Sequence, residues 1–72
     1  MADRTIKTLA FGADSRALIV QRDDGWYSCR MQMLIDVNGQ MVWSRPGPYV
    51  GVYDSAETAE REAVAIRAAR LN

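Results

Sequence analysis

The sequence predicts a small α+β domain: an antiparallel β-meander of three to four strands with one C-terminal α-helix packed on one face. Three observations carry this. Residues from Trp26 to Val37 alternate with period two, with Tyr27, Cys29, Met31, Met33, Ile35 and Val37 in one set and mostly polar residues in the other. Asn38-Gly39 follows at once, two residues that tolerate the positive φ a two-residue type I′ turn requires. From Ala56 to Leu71 neither Gly nor Pro intervenes, and the alanines favour a helix.

Taken in order, residues 1–4 are polar and read as a flexible N-terminus. Ile6 to Phe11 reads as a first strand, and Gly12-Ala13-Asp14-Ser15 as a turn by composition. Arg16 to Arg22 is the second strand, centred on β-branched Ile19 and Val20. Asp24-Gly25 is read as a two-residue turn with Asp23 facing Trp26, which sets Cys29 opposite Val20 and Met31 opposite Leu18. Across Asn38-Gly39, Val37 faces Gln40, Ile35 faces Val42, Leu34 faces Trp43 and Met33 faces Ser44. The expected inner face is then Leu18, Val20, Tyr27, Cys29, Met31, Met33, Ile35 and Val42. The expected outer face is Ala17, Ile19, Trp26, Arg30, Gln32, Leu34, Met41 and Trp43.

Arg45-Pro46-Gly47-Pro48 ends the sheet pattern, because two prolines remove two ladder donors. Tyr49 to Tyr53 reads equally as a short edge strand or an extended crossing. Asp54 with Glu57 resembles a capping box, with Ser55 as an alternative cap for a helix over 55–71. Glutamates 57, 60 and 62 near its start and Arg67 and Arg70 near its end suit the helix dipole. Its apolar stripe is Ala56, Ala59, Ala63 and Ile66, small enough to lie close on a sheet. A second stripe, Val64, Ala68 and Leu71, is turned away from it.

At 72 residues there is room for one domain with one limited core. Apolar content of 49% and charged content of 25% argue for a folded chain rather than a disordered one. Nine basic and nine acidic residues cancel, which removes the global attraction that non-specific nucleic-acid or acidic-membrane binding exploits. The single Cys29 excludes an internal disulfide and suits a reducing compartment, so a cytoplasmic protein is expected. Neither a spanning segment nor the apolar core of a signal peptide is present, so no membrane role is expected.

The motif Asn38-Gly39-Gln40-Met41-Val42-Trp43-Ser44, with Tyr53-Asp54-Ser55 and Ala59-Glu60 following, resembles the YegP-like small repeat domains. Those are strand-strand-strand-helix units with an Asn-Gly between strands and a Tyr-x-Ser opening the helix. The similarity spans about Gly25 to Arg67. The Arg45–Gly51 stretch departs from the family pattern, and one copy stands where tandem copies are usual. The resemblance implies the same architecture and brings no activity with it.

No catalytic residue, cofactor site or metal site is expected. Cys29 has no histidine to activate it and points inward on its strand. Asp23, Asp24 and Asp36 sit at or beside turns, where Asp is favoured for backbone reasons, without the spacing of a calcium loop. No phosphate loop or nucleophile elbow occurs. What stands out is the outer face: Trp26, Arg30, Leu34, Met41, Trp43, Arg45 and Tyr49 are residue types enriched at protein interfaces. The expected function is a non-catalytic protein-binding module, as homodimer, adaptor or inhibitor of a larger protein. The alternative is a single-stranded nucleic-acid binder or regulatory protein stacking bases on Trp26 and Trp43.

Overall fold

The computed structural model describes residues 3–71, and side chains for residues 3–69. The elements are β1 (Arg4–Ala10), β2 (Ser15–Gln21), β3 (Tyr27–Val37), β4 (Gln40–Trp43), β5 (Val50–Tyr53) and α1 (Ala56–Leu71). All strand pairings are antiparallel, in the order β1-β2-β3-β4, with β5 also on β3. β3 is long enough to carry β4 along its far half and β5 along its near half. The fold is the expected α+β meander with one C-terminal helix, built from five strands rather than three or four.

The Asn38-Gly39 turn is as the sequence predicts. Both residues have positive φ (55° and 83°), and Leu34 faces Trp43, Ile35 faces Val42 and Val37 faces Gln40. The Asp36 carboxylate accepts the Gly39 N–H at 2.8 Å and holds the turn from inside.

The preceding hairpin departs from expectation by one residue. Ile19 faces Cys29, Ala17 faces Met31, and Leu18 faces Arg30. The loop holds three residues, not two: Gly25 N–H donates to the Arg22 carbonyl at 2.9 Å, and Arg22 N–H donates to the Trp26 carbonyl at 2.7 Å. Gly25, at φ 90°, takes the left-handed position that follows a type I turn in such loops. Because side chains alternate, the slip turns β2 over relative to β3. Ala17 and Ile19 therefore lie on the inner face, and Leu18 and Val20 on the outer one.

The core sits between the sheet and α1. Ala17, Ile19, Cys29, Ala59 and Ala63 are fully buried, with Leu9, Tyr27, Met31, Val50 and Tyr53 packed around them. Small alanines on α1 let the helix axis approach the sheet, as its stripe implies. Ala56 and Ile66 are half-buried, Val64 is exposed, and the side chain of Leu71 lies outside the described residues. Ser55, not Asp54, caps the helix: its Oγ accepts the Thr58 N–H at 3.1 Å.

Two segments are more ordered than their composition suggests. β1 begins at Arg4, and Asp3 makes side-chain bonds to Arg30 and Tyr49, so only Met1 and Ala2 of the expected loose terminus lie outside the described residues. The Pro-Gly segment does not leave the sheet. Gly47 supplies the donor the prolines lack, giving its N–H to the Met31 carbonyl at 2.9 Å, and the chain resumes pairing as β5. Opposite Ser28 that pairing bulges, with Gly51 at φ 73°. The buried Ser28 hydroxyl donates to the Gly51 carbonyl at 2.6 Å and fixes the bulge.

Candidate protein interface

The helix covers β3 only as far as Met31. β2 pairs with β3 as far as Met33, and from Leu34 onward β3 and β4 continue as a two-stranded arm with Met33 at its base. On the helix side of this arm Met33, Ile35, Val37 and Val42 are 61%, 42%, 46% and 38% exposed. Ile35 and Val42 are a direct cross-strand pair, and Met33 and Val37 flank Ile35 at two residues' distance, so the four form one continuous apolar surface. The expectation that Met33, Ile35 and Val42 are core is thus corrected. They share a face with Cys29 and Met31, but α1 does not reach them. On the other side of the arm Met41 is also exposed.

Where β3 leaves the helix, Phe11, Ser15, Met31, Met33 and Arg67 line a hollow of about 180 Å³. Arg67 lies over the Phe11 ring at 5.6 Å and donates to the Ser15 hydroxyl and the Phe11 carbonyl, both at 3.4 Å. The hollow opens onto the apolar surface of the arm through Met33.

The outer face of the sheet is not bare. Arg30, read from the sequence as an interface residue, is a clamp. Its Nε donates to the Gly47 carbonyl at 2.6 Å, Nη2 to the Pro46 carbonyl at 3.2 Å and Nη1 to Asp3 at 3.3 Å. Asp3 also accepts the Tyr49 hydroxyl at 2.5 Å, and the Tyr49 ring lies 5.0 and 5.2 Å from the Arg22 and Arg30 guanidinium carbons. The Pro-Gly segment, Tyr49 and Asp3 together lie over Leu18 and Val20, leaving only an open hollow among them. The hydrogen bond to Asp3 pushes the Tyr49 hydroxyl above its usual pKa.

Farther along this face Arg16 lies over the Trp43 ring at 4.1 Å. Its Nε donates to Gln32, whose amide donates in turn to the Ser44 carbonyl, each at 2.7 Å. Trp43 is half-buried beside its cross-strand neighbour Leu34, also half-buried. Trp26 stands exposed where the three-residue loop closes, and Arg45 is exposed after β4. The seven expected interface residues therefore divide. Leu34, Met41 and Trp43 share the arm, with Arg45 at its base. Arg30 and Tyr49 belong to the internal clamp, and Trp26 stands apart at the end of the β2–β3 loop.

Burial raises the Cys29 thiol above its ordinary pKa, which disfavours the thiolate. Among the described residues no three His, Cys, Asp or Glu side chains gather to hold a metal, and no helix is long and apolar enough to cross a membrane. No family model, curated protein or solved structure matches the chain.

Proposed function

We propose that this protein is a non-catalytic protein-binding module whose contact element is the β3–β4 arm. One observation carries the proposal: Met33, Ile35, Val37 and Val42 form a continuous exposed apolar surface on an element that the domain's own helix does not cover. Monomers seldom leave such a patch in water, and its position on a paired, turn-fixed hairpin makes it rigid enough to dock. The sequence places the contact on the opposite, aromatic face; the arm moves it to the helix side, with Met41 and Trp43 at its back.

Against base stacking stand the Arg16 guanidinium over one face of Trp43 and the engagement of Arg30 with Asp3 and two carbonyls. A base reader would also lose affinity steeply with salt, whereas an apolar contact would not.

A photo-crosslinking residue at Ile35 tests the proposal in an extract of the native host. It should capture protein, while the same residue at the exposed Thr8 of β1 should not. Equal labelling at both positions, or none at Ile35, refutes it.

A further inference from the structure

We infer that the arm's partner is a second copy of this chain, joined to it by antiparallel pairing of β4 with β4 about a two-fold axis at Val42. This deepens the reading of the arm as a docking element and rests on it.

The first argument compares the sheet's edges. β1 carries Arg4 and Lys7 and a register shift between Thr5 and Lys7, and β5 carries the bulge at Gly51. Charges and bulges of this kind keep an edge from pairing with a second chain. β4 reads Gln40-Met41-Val42-Trp43, with no charge, proline, glycine or register shift, and it pairs only with β3. It is the one unguarded edge among the described strands.

The second argument is the register. A two-residue turn makes Val37–Gln40 a hydrogen-bonded pair, and such pairs alternate, so Ile35–Val42 is another. Met33 with Ser44 continues the series, since the Ser44 N–H donates to the Met33 carbonyl at 2.8 Å. The N–H and C=O groups of Met41 and Trp43 therefore point away from β3. Setting Met41 of one copy opposite Trp43 of the other uses all of them, in two symmetric hydrogen-bonded pairs. Shifting by two residues in either direction leaves part of the set unpaired.

The third argument is the side chains this register brings together. On the helix side, Ile35 and Val42 of each copy line up into a four-residue apolar row across both arms. On the other side, Met41 of each copy meets Trp43 of its mate, a favourable sulfur–aromatic pair. Arg45 of each copy falls opposite Gly39 of the other, where the Asp36 carboxylate sits. Neither Asp36 nor Arg45 has an ion-pair partner among the described residues. The two ends of the interface are thus complementary in charge, and a chain of zero net charge offers no global repulsion to a second copy.

The purified full chain tests this by sedimentation or light scattering over a concentration series. The wild type should be a dimer at high concentration. Met41→Pro removes only an outward donor and should weaken the dimer about tenfold or more while the circular dichroism spectrum stays native. Val42→Cys places two sulfurs on the two-fold, where facing Cα atoms of a non-hydrogen-bonded pair lie about 4.5 Å apart, and should form an intermolecular disulfide. Gln40→Cys should not, and buried Cys29 does not compete. Asp36→Arg and Arg45→Glu should each self-associate poorly, and their mixture should restore the dimer as a heterodimer. A wild type that stays monomeric and a Val42→Cys variant without disulfide overturn the self-pairing. Crosslinking at Ile35 to other proteins would then leave the docking role standing with a different occupant. A dimer that ignores Met41→Pro, or that Gln40→Cys traps as readily as Val42→Cys, overturns the strand register.

Discussion

Arg30→Met is the most informative single change to the monomer. The substitution keeps an unbranched apolar stem and removes the guanidinium. Two loop carbonyls lose charged donors, and Asp3, whose side chain is 13% exposed, loses its cation. Hydrogen bonds to charged groups contribute about 1.5–3 kcal/mol each when buried. Arg30 retains 30% side-chain exposure, so each is discounted by half or more for solvent screening. The remaining cost is that of leaving Asp3 half-satisfied by Tyr49. The whole change should come to about 3 kcal/mol, against a total of roughly 4–11 kcal/mol for a chain of this size. Chemical denaturation measures it, and amide exchange at Gly47 should quicken as the segment loosens. Arg30→Lys should recover the Asp3 pair but not the forked carbonyl contacts, and so only part of the stability. A loss below about 0.5 kcal/mol in Arg30→Met would mean that Arg30 is a solvated surface residue and that the clamp does not hold the Pro-Gly segment.

Gly39→Val puts a β-branched residue at φ 83° and should cost more than about 1 kcal/mol in the same denaturation assay. Gly51→Ala should cost more than the backbone term alone, because the new methyl would collide with the Tyr53 ring; near-ultraviolet circular dichroism should register the displaced tyrosine. Met31→Asp should unfold the domain, whereas Met33→Asp, two residues along the same face, should leave it folded; both are read by circular dichroism. Burial raises the Cys29 and Tyr53 pKa values, and the bond to Asp3 raises that of Tyr49. The unfolded chain therefore releases these protons first. Their contribution is intact at neutral pH and is lost as pH rises, first for Cys29 above about 8.5 and then for the tyrosines above about 10, so denaturation midpoints should fall as pH is raised through this alkaline range.

What could be read beforehand follows from how many chain paths each local signal permits. Asn-Gly between two alternating runs admits essentially one tight turn, and the β3–β4 register came out residue for residue. Asp-Asp-Gly admits two. Asp24-Gly25 can form a two-residue turn, or Gly25 can close a type I turn one residue longer. β2 offers no arbitration, since Ala17 and Ile19 on one side are as apolar as Leu18 and Val20 on the other. The longer loop wins because Ala17 and Ile19 fit beneath the alanines of α1, a packing fact that appears only once helix and sheet meet. The prolines were a sound signal that the ladder stops. That it resumes depends on one glycine donor between them and on a carbonyl of β3 whose place no local pattern reveals. The site residues divide in the same way. The sheet positions, and only the positions, of Leu34, Met41 and Trp43 match the sequence reading, because the turn sets their register. The partners of Arg30 are backbone carbonyls some sixteen residues away and an aspartate near the N-terminus, invisible to any periodicity.

The arm's composition itself argues that its surface is meant to be covered. The largest fully buried side chains of the monomer are Ile19, Cys29 and Ser28; Val20 is nearly so, and the other buried apolar residues are alanines. Hydrophobic stabilisation scales with apolar area removed from water, so a core of this kind is modest. Meanwhile the bulkier Met33, Ile35, Val37, Met41 and Val42 remain outside it. Strand pairing does not require them to be apolar. Threonine pairs across a strand with comparable propensity and a hydroxyl that tolerates water. An arm that served only to hold its own turn would therefore function with Thr at 35 and 42 at little cost. Apolar residues there contribute little to the isolated fold and much to an association, and any partner that binds only the folded state adds to its stability by mass action. In a domain with so small a core, the proposed interface and the stability of the fold would be coupled, and dilution should lower both together.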